Sequence, residues 1–560
     1  MRNSSFITFI LLIFSFYNSI QAQLLDGMPS SFSHADSLRG GIRPERTCYD
    51  VTYYNLNITL DIPTRSISGS NKIYFTTRST FYKLQIDLFE NMIIDKIVYD
   101  NTTLSYTRDA NAVFVMMNDT IRKNTKGMLE VFYHGNPIVA KRAPWDGGFV
   151  FTKDKEGKDW VAVACEGTGA SLWWPCKELL SDEPDSMELT CTYTKDLFFV
   201  GNGQMSSDKI NTDNSTRTTT WKVTYPINNY NLTLNIGNYK NIHDVYHSTK
   251  LNSDLALDYY VMPYNYDKAI THFKQVKPML SIYEKYLGPY PFWKDGYALV
   301  ETPYLGMEHQ SAIAYGNDYK TGYAGRDYSR IGLNFDYIII HESGHEWWGN
   351  SVSCKDIADL WIHEGFCTYT EALYVEGMYG KKKAQEYINA KKPEITNKEA
   401  IQGVYGVNNE GSGEMYSKGM LFLNTLRTAI NNDSLWFASI YKLLNDDLYH
   451  RNVDYNEVVR VMEQNTRKFI RPLFDQYVQH ANIPLLIYKV EDKNRFMKTI
   501  YYKWQTDVPN FQMRFYFTYN NKKEDAMATN EWRSFDFNAK KIKKLIVDQE
   551  RMYINLQELK

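Results

Sequence analysis

His341-Glu342-Ser343-Gly344-His345 places two imidazoles four residues apart, directly behind the apolar run Tyr337-Ile338-Ile339-Ile340. On a helix, positions i and i+4 lie one turn apart on one face, so both rings can reach a single Zn²⁺. Glu342 between them then sits where it can take a proton from a water molecule. H-E-x-x-H also arises by chance, so the pattern needs further residues before it is a site. A catalytic zinc takes three protein ligands and keeps one position open. The candidate third ligand is Glu364, in Asp359-Leu-Trp-Ile-His-Glu-Gly-Phe366, with 18 residues between it and His345. That gap suits a loop and a second helix returning beside the first. Trp361, Ile362 and Phe366 describe a buried setting, in which an unpaired carboxylate would be costly. Glu371, two turns further along, is a candidate to orient a histidine ligand, with an ordinary surface glutamate as the alternative.

Three regions must position these residues. At about 150 residues per domain, 560 residues suggest three to four domains. Arg2, the apolar run Phe6 to Tyr17 and the small residues before Gln23 have the order of a secretory signal peptide. Residues 1–22 are read as this leader and 23–47 as an N-terminal extension. The apolar run is short of the roughly 20 residues that span a bilayer, and no later segment supplies them. The expectation is an exported chain, periplasmic or extracellular, with no transmembrane segment after processing. Residues 48–245 alternate in short runs such as Tyr54-Asn-Leu-Asn-Ile-Thr-Leu60, an antiparallel β-domain. Residues 246–482 turn helical, with 3.6-type spacing over 266–286, 335–348, 358–377, 418–430 and 453–464. Residues 483–560 alternate again, as in Phe511-Gln-Met-Arg-Phe-Tyr-Phe-Thr-Tyr519, and suit a small β-sandwich.

Composition excludes several classes. With 63 Lys and Arg against 65 Asp and Glu, there is no global field to hold nucleic acid or an anionic membrane. Hydrophobic residues at 43% and aromatics at 15% rule out a disordered chain. Six cysteines without a C-x-x-C pair indicate neither a zinc knuckle nor a thioredoxin-type redox site, and whether any pair as disulfides stays open.

His341-Glu-x-x-His345-x-Trp347-x-Gly349-Asn350, the gap, and Trp361-x-x-Glu364-Gly365-Phe366 together resemble the zinc metallopeptidases of the aminopeptidase N family, which includes leukotriene hydrolase. The resemblance implies His341, His345 and Glu364 as ligands of one Zn²⁺ per chain and Glu342 as general base. It also implies a fold: an N-terminal β-saddle, a thermolysin-like catalytic domain and a small β-sandwich. Tyr304-Leu305-Gly306-Met307-Glu308-His309 is similar to the family's G-x-M-E-N segment. By that match Glu308 binds the substrate's amine, and backbone at Gly306 and Met307 pairs with an extended peptide. Leu305 stands where the pattern has Gly, and His309 replaces Asn. Cys165-Glu166, upstream of Pro175-Cys176, resembles the segment carrying a second amine anchor, which makes that residue Glu166. Met415-Tyr416-Ser-Lys-Gly419 resembles the Y-x-K-G segment, 52 residues after Glu364, and implies Tyr416 as the oxyanion-stabilising phenol.

The function expected is an exported zinc aminopeptidase that removes the N-terminal residue from peptides with a free amine, favoured as a monomer. A non-peptide zinc hydrolase, an endopeptidase and an inactive binding protein are the rival readings. With 78 residues after Asn482, the expectation is that the large C-terminal helical domain of many family members has no counterpart in this sequence.

Overall fold

Tyr49–Asp61 alternates as its sequence suggests: Leu56, Ile58 and Leu60 are buried while Asn57 and Thr59 face out. In the computed structural model, which describes residues 32–560 apart from 328, 330, 520 and 539–544, this strand is central to a ten-stranded sheet. It pairs antiparallel with Ser66–Thr77 and parallel with Ser186–Thr194. A four-stranded sheet containing Gly148–Lys153 and Asp159–Ala164 packs with it around one apolar core. The expected leader, residues 1–22, lies outside the described residues. Among the described residues no helix is long and apolar enough to cross a membrane.

The chain is thus multidomain: a large N-terminal β-sheet domain, a helical middle region and C-terminal β-sheets. The middle region opens with a sheet that its helical periodicity does not announce. Five strands, β1 (Lys240–Ser248), β2 (Ser253–Val261), β3 (Tyr297–Glu301), β4 (Gly306–Met307) and β5 (Ile313–Tyr315), are ordered β1-β2-β3-β5-β4. Strands β3 to β5 are only two to five residues long and buried on both faces, so they carry no polar alternation to read. One face (Val300, Met307, Ala314) belongs to the N-terminal core, the other (Leu299, Ile313, Tyr315) to a second core. That second core runs from Tyr246 through the helices to Ile554, so the C-terminal sheets share it. Strand β4 ends up at a sheet edge, pairing only with β5.

Four helices of the middle region carry or brace the chemistry-bearing side chains: α1 (Tyr337–Gly344), α2 (Trp361–Tyr379), α3 (Lys381–Ala390) and α4 (Met415–Ile430). Gly365 and Gly419 let α2 and α4 touch backbone to backbone, since a Cβ on Gly419 would lie 2.6 Å from the Gly365 Cα. Buried Lys418 donates to the carbonyls of His480 at 3.0 Å and Ala481 at 2.7 Å, tying α4 to the join with the C-terminal sheets. All six cysteines are buried and free.

Candidate metal centre

Helix α1 starts where Asp336 caps it, accepting the amides of Ile338 and Ile339. The Asp336 carboxylate also accepts from the Tyr315 hydroxyl and the Asn317 amide, each at 2.8 Å, so one buried group fixes the helix start against β5. Asp336→Ala strands these donors and is expected to cost about 3 kcal/mol of stability, read as a lowered denaturation midpoint. A melting curve superimposing on the parent's would refute it. The helix is shorter than its periodicity suggests, ending at Gly344. His345 is its C-cap residue and keeps helical dihedrals (φ −64°, ψ −21°), which preserves the one-turn spacing from His341.

The ring nitrogens sort themselves by their partners. His341 Nδ1 lies 2.6 Å from Glu371 Oε1, and His345 Nδ1 lies 2.9 Å from the Trp348 carbonyl. Both Nδ1 atoms therefore donate, and both Nε2 atoms are left with lone pairs. Those Nε2 atoms are 3.2 Å apart, and Glu364 Oε2 lies 3.4 Å and 3.5 Å from them. Three buried donor atoms this close to one another fit a shared cation. Tetrahedral zinc with bonds of about 2.0–2.1 Å requires ligand separations of about 3.4 Å, which these match. Glu364 Oε2 is buried and makes no hydrogen bond among the described residues.

Glu342 lines the same cavity, pushed up to about 7 by burial, with the two histidines opposing and Glu308 and Glu364 adding. Strand β4 runs against it: a Cβ on Gly306 would lie 2.7 Å from Glu342 Oε1. The next residues bring Met307 into the cavity wall and Glu308 beside Glu342 and His345, their ligand atoms within 4.8 Å of one another. Glu308 accepts from the Tyr230 hydroxyl at 3.1 Å. Glu166 enters from the N-terminal domain, just beyond strand Asp159–Ala164, on a turn where Gly167 and Gly169 take left-handed φ of 68° and 100°. Its carboxyl is pushed well up by burial and then by Glu308, and its Oε1 has no partner among the described residues. Tyr416, in the first turn of α4, lies over His341 with ring centroids 6.1 Å apart. Burial, then Glu364 and Glu166, keep its phenol protonated.

The expected ligands, base, phenol and substrate-binding residues thus all line one cavity of about 1200 Å³, measured with its open mouth. Three positioning residues went unread. Asn350 donates to the Glu308 carbonyl at 2.9 Å, Glu346 accepts the Ser311 amide at 2.8 Å, and Tyr230 holds the Glu308 carboxylate. The only signal for the first was its place at the end of the long motif. His309 is fully buried, and burial pushes it down to about 3, so it brings no charge.

Residues 271–477 match the family described as "Peptidase family M1 domain". The chain is 24% identical over 224 residues to endoplasmic reticulum aminopeptidase 1 of Mus musculus, covering 38% of this chain and 24% of that one. It is 22% identical over 363 residues to glutamyl aminopeptidase of Homo sapiens, covering 60% and 36%. This chain therefore spans well under half the length of either relative. An M1 zinc metallopeptidase from Deinococcus radiodurans superposes with TM-score 0.64 over 78% of this chain and 95% of that one, at 18% identity, a likeness of fold.

Proposed function

We propose that this chain, which carries an M1 peptidase domain over residues 271–477, removes the N-terminal residue from peptides. The observation that carries this reading is the pair of buried carboxylates, Glu166 and Glu308, set beside the metal triad and against the edge strand β4. A peptide added to β4 would have its free ammonium taken by these two groups through charge-assisted hydrogen bonds. His341, His345 and Glu364 would hold zinc, which supplies Lewis-acid polarisation of the scissile carbonyl. Glu342 takes the proton of the attacking water and hands it to the leaving amine. Tyr416 donates to the oxygen that gains charge in the transition state. Glu371 and the Trp348 carbonyl hold the two imidazoles as Nδ1–H tautomers. The reading includes export, on the order of charge, apolar run and small residues over 1–22.

Without an ammonium, the two carboxyls have no cation between them and Glu166 Oε1 stays without a partner, so N-acetylated peptides should be cleaved at least about 100-fold more slowly than free ones. Glu308→Ala should lower kcat/KM for free peptides by about 10- to 100-fold. Fluorogenic aminoacyl amides and their N-acetyl forms measure both. Equal cleavage of the two forms would point to an endopeptidase instead.

A further inference from the structure

Trp145 is the one tryptophan among the described residues that line the cavity, and the proposed hydrolysis does not use it. Its side chain is half-buried, and its indole makes no hydrogen bond and stacks on no other ring among the described residues. Its backbone, by contrast, is held firmly. The Asp146 carboxylate accepts the amides of Lys141 at 2.6 Å and Arg142 at 2.8 Å, and the Trp145 amide donates to the Arg142 carbonyl at 3.0 Å. The loop then seats on the turn that carries Glu166. The Thr168 hydroxyl donates to the Asp146 carbonyl at 3.3 Å, and Gly147, with φ of 65°, comes so near that a Cβ there would lie 2.1 Å from Thr168 Oγ1. A fixed base and an uncovered ring leave a large apolar face for a ligand to bury.

The place of this ring along the substrate follows from the amine anchors. Thr168 is two residues from Glu166, at most about 7 Å of backbone, so Trp145 stands beside the point where the substrate's ammonium is taken. The first residue's side chain leaves the very carbon that carries this ammonium. It therefore starts within reach of Trp145, ahead of any later residue's. The neighbouring wall is apolar as well: Met307 lies on β4, Leu305 just before it, and Tyr323 meets Tyr337 edge-on with ring centroids 5.3 Å apart. The charged lining residues that the ammonium, the metal and the water leave unused are Lys391 and Glu394. These pair with each other at 3.5 Å, and Glu394 also accepts from the Ser417 hydroxyl at 2.7 Å. They offset one another, which leaves no net charge to draw a charged first residue.

We propose that Trp145 walls the subsite for the first residue's side chain and selects peptides that begin with an aromatic residue over those that begin with a small one. This rests on the aminopeptidase reading, so binding is measured apart from turnover. Phenylalaninol and alaninol share the free amine, have no scissile bond and differ only in the ring. By calorimetry on the zinc-loaded full chain, phenylalaninol should bind at least about tenfold more tightly. In Trp145→Ala that ratio should fall at least about fivefold, and in Trp145→Phe it should stay within about twofold of the parent's. Hydrolysis of the dipeptides Ala-Phe and Ala-Ala, which carry the ring one residue later, is followed in parallel. Their kcat/KM ratio should change less than about twofold in Trp145→Ala. Should Trp145→Ala fail to fold by circular dichroism, Trp145→Leu, which keeps apolar bulk without the ring, takes its place with an expected fall of at least about threefold. Equal affinities in the parent chain, a ratio that survives loss of the ring, or a loss that follows the second residue would each overturn the assignment. A binding ratio without any hydrolysis would overturn the aminopeptidase reading and leave Trp145 as an aromatic-amine site.

Discussion

On the proposed mechanism, Glu342→Gln is expected to lower kcat by about 10³-fold while zinc content stays at the parent's level, because it removes the proposed proton acceptor and leaves the three proposed metal donors untouched. The amide is nearly isosteric, so the close approach of Gly306, where a Cβ would sit 2.7 Å from Glu342 Oε1, is kept. The carboxyl suits its task. Burial lifts it to about 7, which puts it near balance between taking and giving a proton at neutral pH. Metal content by mass spectrometry and kcat on a free aminoacyl amide are read together. Retained turnover with full zinc would assign the base elsewhere; lost zinc would make Glu342 part of metal retention.

The second large effect is metal removal. Dialysis against a strong chelator should abolish turnover, and one equivalent of Zn²⁺ should restore it. His345→Ala should lose both zinc and activity, with no recovery on adding metal at micromolar levels. The physical ground is the geometry of Nε2, Nε2 and Oε2 at mutual distances of 3.2–3.5 Å. Without a cation, Glu364 is a buried carboxylate facing two lone pairs, so the metal-free chain should also melt at a lower temperature. An unchanged melting point and full activity after chelation would sink the metal assignment.

Much of the site was legible because local spacing encodes it. His341 and His345 share a face whether the helix ends at Gly344 or runs on, since the spacing needs only one turn. Gly365 and Gly419 carry less information by themselves; only the crossing of α2 and α4 makes their missing side chains necessary. Strands β3 to β5 escaped the periodicity because they are short and buried on both faces. Asn350 and Glu346 act on backbone atoms 42 and 35 residues away, and no local pattern points to such partners. Lys418 had a place in a motif but no chemistry; its role is to hold the join at His480 and Ala481.

The sequence by itself determined the donor types, their one-turn spacing and the apolar surroundings, because these depend on neighbours along the chain. Tertiary structure alone decided that Glu166, from one domain, faces Glu308, from another. It also decided that β4 is an edge strand. The reason is that burial and unsatisfied charge are properties of what surrounds a residue in space. Segments far apart in the chain supply those surroundings only after the cores have formed.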